Sequence, residues 1–292
     1  MPTTIPTRAA WVPVAPIKRF ITTKPVPITL HDKKYVGFLD TKGRPNIVSD
    51  VCTHRGAALS GGTVRDGCVR CPYHDHPTRG DPRRCVVAND VVWYDDDFDR
   101  DAPGPADLLE LRQSHVHTYL RSFEGCNPLL ILENTLDHAH LEHIHAITAV
   151  NGAPRVEVLD DHMVKYSYAT LSPTIEIGVV NEFRPWHTAL RFFFNDSHAF
   201  SLHFTWVPVG KQRTNCIVRI ARADGDELSD KFLEILNELP LIEDRLVVRS
   251  IDAARAWSDD MLRPEDAFVS RFREMMMTDR PETVGFYFDA EA

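Results

Sequence analysis

Two short segments, Cys52-Thr-His54 and Cys71-Pro-Tyr-His74, constrain this 292-residue chain more than any other feature. Two thiols and two imidazoles presented by two loops form the ligand set of a cluster in which cysteines hold one iron and histidines the other. Neutral imidazole brings less negative charge than thiolate, so the reduced cluster is better tolerated and its potential rises. Cys68, three residues before Cys71, keeps a structural zinc site open, built from Cys52, Cys68, Cys71 and a histidine. Buried cysteines with no ligand are the plainer alternative. The six cysteines fall at 52, 68, 71, 85, 126 and 216, and fourteen histidines accompany them. Their clustering in the N-terminal half reads as metal ligation rather than a secreted disulfide framework.

A second constellation lies in ENTLDHAHLEHIH, Glu133 to His145, with the spacing Asn134-x-x-Asp137-x-x-His140-x4-His145. A ferrous site that activates oxygen needs two imidazoles and one carboxylate on one face of the metal, with the other positions open. His138, His140, His143 and His145 all compete for the imidazole roles. His140 and His143 are neighbours on a regular helix. Five residues advance a helix by about 500°, so pairing His140 with His145 requires the helix to bend, widen or end between them. Spacing alone leaves the choice open.

The rest of the chain bounds the setting. Lys plus Arg number 33 against 42 Asp plus Glu, a net charge of −9, which argues against non-specific nucleic-acid binding. A content of 43% hydrophobic and 26% charged residues fits a folded soluble protein. No run approaches the roughly 20 apolar residues that span a bilayer. The start has no basic segment followed by an apolar one, so a cytoplasmic, non-membrane protein is expected.

Alternating apolar runs predict strands at Val26 to Leu30, Tyr35 to Leu39 and Asn46 to Val51, a hairpin turn at Asp40 to Pro45, and a closing strand at Val86 to Tyr94. The acidic, Pro/Gly-containing stretch Tyr94 to Asp107 reads as a solvated boundary. It divides residues 1–107 from residues 108–292. Beyond it, Asn127 to His145 reads as helical. Strand patterns at Arg155 to Tyr168, Thr174 to Phe183, Ala189 to Asn195 and Ala199 to Ala221 suit an antiparallel sheet. Helices are predicted at Leu228 to Leu239 and Pro264 to Met277. The fold class is therefore α+β.

AWVPVAPIKRF near the start, VCTHRGAALSGGTVRDGCVRCPYH at Val51 to His74, and the Asn134 to His145 segment together resemble the oxygenase (alpha) component of Rieske non-haem iron oxygenases. The short single chain is closest in style to the dicamba and vanillate O-demethylase group. The resemblance implies an N-terminal all-β Rieske domain and a catalytic domain whose antiparallel sheet is flanked by helices, a helix-grip, START-like arrangement. It implies a 2Fe-2S cluster on Cys52, His54, Cys71 and His74. It assigns the mononuclear Fe(II) ligands to His140, His145 and Asp266, leaving His138 and His143 as surface or supporting histidines and Asp244 as the alternative carboxylate. Asp137 would link His140 to His74 or His54 of a neighbouring copy, carrying electrons between subunits of a head-to-tail homotrimer.

By the same resemblance the chain hydroxylates or oxidatively demethylates an apolar cyclic or aromatic substrate with O2. No G-x-G-x-x-G after a strand and no plant-type ferredoxin motif occurs. Electrons from NADH or NADPH would therefore arrive through a separate reductase, with or without a ferredoxin. Arg70, Arg79, Arg83 and Arg84 could face such a donor, although such charges usually balance local acids. Phe192, Phe193, Phe194, Phe204 and Trp206 are candidates to line an apolar pocket or simply to fill the core. The family usually continues from the second histidine with Gly-Trp, where this chain has Asp75-His76. A Rieske electron carrier, a degenerate non-catalytic relative and a structural zinc protein are the competing functional readings.

Overall fold

A computed structural model of the chain describes residues 11–21, 23–95, 115–137, 140–145, 155–158, 163–172, 175–194, 197–222, 229–253, 255–258 and 262–288. The chain divides into two compact units. One is built mainly from Arg8–Glu110 and the other from Leu111–Trp206 and Lys211–Ala292. Of the acidic boundary, all beyond Asp95 lies outside the described residues, as does His138.

The first unit contains β1 (Trp11–Pro16), β2 (Val26–Leu30), β3 (Lys33–Leu39), β4 (Pro45–Ser49), β5 (Thr63–Arg65), β6 (Cys68–Arg70), β7 (Pro77–Thr78), β8 (Cys85–Ala88) and β9 (Val91–Asp95). They form three small antiparallel sheets, ordered β1-β9-β8, β2-β3-β4 and β5-β6-β7. Three hairpins turn on two residues that both have positive φ: His31-Asp32, Asp66-Gly67 and Asn89-Asp90. Such pairs match the twist of the flanking strands. The last turn splits the expected closing strand Val86 to Tyr94 into the β8–β9 hairpin, because Asn and Asp tolerate the left-handed conformation. Val36, Phe38, Cys52, Leu59, Val69 and Cys71 pack into one buried cluster, so both cysteines belong to the core.

The second unit is one seven-stranded antiparallel sheet, ordered β10-β16-β15-β14-β13-β12-β11. Its strands are β10 (His115–Glu124), β11 (Arg155–Val158), β12 (Met163–Ser172), β13 (Ile175–Arg184), β14 (His187–Phe194), β15 (Ser197–Gly210) and β16 (Arg213–Arg222). Strands β11 to β16 follow one another as a meander, whereas β10 pairs with β16 on the far edge over ten residues. The chain between β10 and β11 must therefore traverse the width of the sheet, and α1 (Pro128–Asn134) and α2 (His140–Ile144) lie in that crossing. Asn127 caps α1 by accepting the Leu129 N–H at 2.9 Å, and Pro128 follows at the first helical position. Pro128 to Leu132 are all buried, each large side chain contributing about 1.5–3 kcal/mol.

Among the described residues, three α-helices follow the sheet: α3 (Asp230–Val248), α4 (Ala267–Asp279) and α5 (Pro281–Phe288). Phe272 of α4 meets Phe183 of β13 edge to face at 5.1 Å. Arg273 of α4 holds Glu133 of α1 through two bonds of 2.8 Å. The helix expected to end at Leu239 continues through Pro240 to Val248, since a proline removes a single backbone bond and the turns on either side still pack. Leu233, Asn237, Leu241, Asp244 and Val248 form the buried stripe of α3, while Ile235, Leu239, Ile242 and Leu246 are exposed. Two histidines on the sheet, His187 and His203, are buried. Burial holds the His203 pKa down to about 3, and His187 also lies well below its usual value.

Candidate metal centres

The first centre is built by two loops with the same backbone wiring. In one, the Cys52 N–H donates to Ala57 O at 2.9 Å and the Gly56 N–H donates to Cys52 O at 2.8 Å. In the other, the Cys71 N–H donates to His76 O and the Asp75 N–H donates to Cys71 O, both at 3.0 Å. Each loop thus returns on itself within five residues and presents a cysteine inward and a histidine outward. Cys52 and Cys71 are buried, whereas His54 and His74 are exposed with ring centroids 5.0 Å apart. The equivalent position in each loop, Gly56 and Asp75, has φ of +74 and +55. Asp75 therefore takes the conformation a glycine would supply without cost, and Arg65 holds its carboxylate at 2.7 Å.

The donor chemistry fits a 2Fe-2S cluster of mixed ligation. The backbone N–H of Tyr73 lowers the Cys71 thiol pKa, aided by the Cys52 side chain and the His74 N–H, which favours thiolate. Cys68 is turned elsewhere, its thiol 3.2 Å from Arg65 O. Four zinc ligands would crowd around one ion. Among the described residues, no cysteine belongs to a group of three or more ligand atoms all within 4.8 Å of one another.

His76 lies beside the exposed imidazoles, its ring 5.6 Å from His54. The four arginines of the loop region divide: Arg83 pairs with Asp81 at 2.6 Å, and Arg70 lies 3.4 Å from Asp66 and 3.9 Å from Asp75. Arg79 and Arg84 line, with Lys33, Tyr35 and Tyr94, an open cleft of about 530 Å³.

The second centre lies where α2 ends. His140 opens this helix and His145 directly follows its last residue, so the five-residue spacing is met by termination of the helix. The two Nε2 atoms are 3.2 Å apart. Both face one carboxylate oxygen, Asp244 Oδ1, at 3.4 Å from His140 and 3.0 Å from His145. A metal about 2.1 Å from each of two ligands at right angles would hold them about 3 Å apart, so the three atoms match one face of an octahedron. Asp244 Oδ1 is buried with no hydrogen-bond donor, a costly state that a cation relieves. These residues fit a divalent iron site. The other ring nitrogens have acids beside them: His145 Nδ1 is 2.8 Å from Glu243 Oε2, and His140 Nδ1 is 3.7 Å from Asp137 Oδ2. Glu243 is placed to fix the orientation and tautomer of the His145 ring, whereas His140 Nδ1 is buried with no hydrogen-bond partner and Asp137 lies just beyond hydrogen-bond reach.

The carboxylate brought to the histidines is Asp244, not Asp266. Asp266 sits just before α4 with Oδ2 accepting the Arg263 N–H at 2.7 Å, a local cap that commits it to its own turn. Asp244, the alternative carboxylate in the sequence reading, is only 7% exposed. His143 is exposed on α2. Glu243 and Asn181 were not expected from sequence; Asn181 is buried and its Nδ2 donates to Thr135 O at 3.3 Å, tying β13 to the segment just before Asp137. A buried asparagine within an apolar strand is the signal that could have found it. Phe204 and Trp206 are buried and stack on each other at 5.9 Å, which is core packing; Phe192 stacks on Phe200 at 4.7 Å.

Comparison with known proteins places the first centre in a known domain. Residues 10–81 match the Rieske [2Fe-2S] domain. The oxygenase component of 3-ketosteroid-9-alpha-monooxygenase from Mycolicibacterium smegmatis is 30% identical over 161 residues, 46% of this chain and 42% of that protein. The dicamba O-demethylase oxygenase component of Stenotrophomonas maltophilia is 26% identical over 170 residues, half of each chain. The chain thus spans half or less of the length of these curated relatives. The structure of NdmA from Pseudomonas putida CBB5 with caffeine superposes with a TM-score of 0.77 at 17% identity, covering 96% of this chain and 94% of that one. The chain therefore carries a Rieske [2Fe-2S] domain in its first third and shares its fold over nearly all of its length with NdmA.

Proposed function

We propose that the chain is the terminal oxygenase of a Rieske system, hydroxylating or oxidatively demethylating an apolar cyclic or aromatic substrate with O2. In this reading residues 1–107 are the cluster domain and residues 108–292 the catalytic domain. Cys52, His54, Cys71 and His74 hold the 2Fe-2S cluster, while His140, His145 and Asp244 hold Fe(II). The observation that carries the reading is the convergence of His140 Nε2, His145 Nε2 and Asp244 Oδ1, in a chain that also has a Rieske domain. Iron bound there supplies oxygen activation. Glu243 anchors the His145 imidazole at Nδ1, and the Asp137 carboxylate lies beside His140 Nδ1 at 3.7 Å.

Electrons come from NADH or NADPH through a separate reductase or ferredoxin. Asp137 bridges His140 to His74 or His54 of a neighbouring copy in a head-to-tail trimer. Its side chain is 30% exposed against 11% for His140, so it can face both ways. The exposed apolar stripe of α3 supports assembly. A cytoplasmic setting, which keeps the free cysteines reduced, completes the reading.

Iron counting with product analysis tests it. About three irons per chain, and incorporation of isotopic oxygen into an aromatic or polycyclic compound in the presence of NADH and a surrogate reductase, are expected. Two irons and no product from a range of aromatic and polycyclic compounds would instead describe an electron carrier or a non-catalytic relative.

A further inference from the structure

The helix that supplies Asp244 is held to the sheet by polar contacts. His115, His117, Tyr119 and Arg121 occupy alternate positions of β10 and so share one face. His115 Nε2 lies 2.8 Å from Asp230 Oδ1. His117 is 3.6 Å from Asp230 and 3.4 Å from Glu234. Asn237 Nδ2 donates to the Tyr119 hydroxyl at 2.7 Å. Arg121 stacks 4.5 Å over the Tyr119 ring, donates to Glu234 at 2.9 Å and also reaches Glu238. Arg222, opposite His115 in the β10–β16 register, adds a cation on Asp230 at 3.0 Å. Asp230, Glu234, Asn237 and Glu238 form one ladder along the first half of α3.

Asn237 and Asp244 are seven residues apart on the same buried stripe, about 10.5 Å and nearly two full turns. Apolar contacts alone are non-directional and tolerate sliding, whereas hydrogen bonds lose strength steeply with misalignment. A slip of one residue turns a helix about 100° and moves it about 1.5 Å, which would put Glu243 or Arg245 where Asp244 belongs.

We propose that this ladder, with the Tyr119–Asn237 bond at its centre, positions the mononuclear site by setting the register of α3 that brings Asp244 Oδ1 onto His140 and His145. The proposal rests on the reading of those three residues as an iron site. Tyr119, Arg121, Asn237 and Glu234 are positioning residues, acting on the metal through Asp244.

The test uses the full chain, stripped of mononuclear iron and titrated anaerobically with ferrous iron, in the wild type and in Tyr119→Phe, Arg121→Met and Arg121→Lys. Iron affinity, the electron paramagnetic resonance of the nitric oxide adduct, Rieske cluster absorbance and melting temperature are read together, well below the melting point. Tyr119→Phe and Arg121→Met should weaken iron binding by about 10- to 100-fold and change the rhombicity of the adduct, with cluster absorbance intact. Arg121→Lys should recover part of the affinity. Wild-type affinity and an unchanged spectrum in Tyr119→Phe and Arg121→Met would overturn the ladder's role. A wild type that keeps its cluster yet binds no further iron would overturn the iron reading itself, and the ladder's role with it.

Discussion

Glu243 and Asp244, adjacent on α3, flank opposite nitrogens of a single ring: Glu243 Oε2 lies 2.8 Å from His145 Nδ1, and Asp244 Oδ1 lies 3.0 Å from His145 Nε2. Neighbours on a helix point about 100° apart, so the imidazole sits between them. Nδ1 is anchored by Glu243, while Nε2 faces Asp244 and His140. Two acids from one helix thereby fix which nitrogen of His145 faces Asp244 and His140.

Removing either aspartate separates the two carboxylate assignments. Asp244→Ala should empty the mononuclear site while the Rieske absorbance persists. Asp266→Ala should keep its iron and lose only a cap, about 0.5–2 kcal/mol of stability. Metal analysis of both variants decides it; loss of iron from Asp266→Ala alone would return the role to Asp266.

Glu243→Gln tests the anchor of His145. The amide leaves a neutral partner at Nδ1, and iron affinity should fall by about 10- to 100-fold with the cluster unaffected. Equal iron affinity in a ferrous titration would show that His145 is oriented by packing alone.

Asp137→Asn bears on electron transfer. Both metal centres should stay loaded, while turnover and oxidation of the reduced cluster slow severely in single-turnover stopped flow. Undiminished cluster oxidation would remove the bridge.

The cluster loop makes a prediction of stability. Asp75→Ala places a side chain with no local hydrogen-bonding capacity at a positive φ and should cost about 1–2 kcal/mol, whereas Asp75→Gly should fall near wild type. Losing the exposed Arg65 pair matters little, about 0–1 kcal/mol. Thermal melts followed at the cluster absorbance compare the two. Equal destabilisation by both would mean that the ion pair, not the backbone, sets the cost.

Acid sensitivity follows from the buried histidines. His203 has a folded pKa of about 3 against 6.5 unfolded, so the unfolded chain binds more protons between those values. Its stability contribution is complete above pH 6.5 and declines as pH falls towards 3, reaching a loss of about 2 kcal/mol by pH 5. His187, depressed in the same direction, adds to the trend. His203→Gln should flatten the pH dependence of unfolding; an unchanged slope would place the titration elsewhere.

The Rieske loops could be read from sequence because each is closed by its own backbone bonds within five residues, so the Cys-x-His and Cys-x-x-His spacings describe the geometry almost directly. The Asp75 departure was visible as a residue, but its left-handed backbone and its Arg65 partner were not. The strand pattern and its antiparallel arrangement followed from alternation, while the Asn89-Asp90 turn did not, lacking the glycine that marks such turns.

His140 and His145 were within reach of a local motif once the helix was allowed to end between them. Their carboxylate was not, because Asp244 lies about a hundred residues further on and reaches the histidines only through the packing of α3 against the sheet. By itself the sequence determined the ligand types, the two-part β and α+β plan and the cluster loops, all of which depend on short-range spacing. Only the tertiary structure decided which acid lies against His140 and His145, since that depends on where a helix about a hundred residues further along the chain packs.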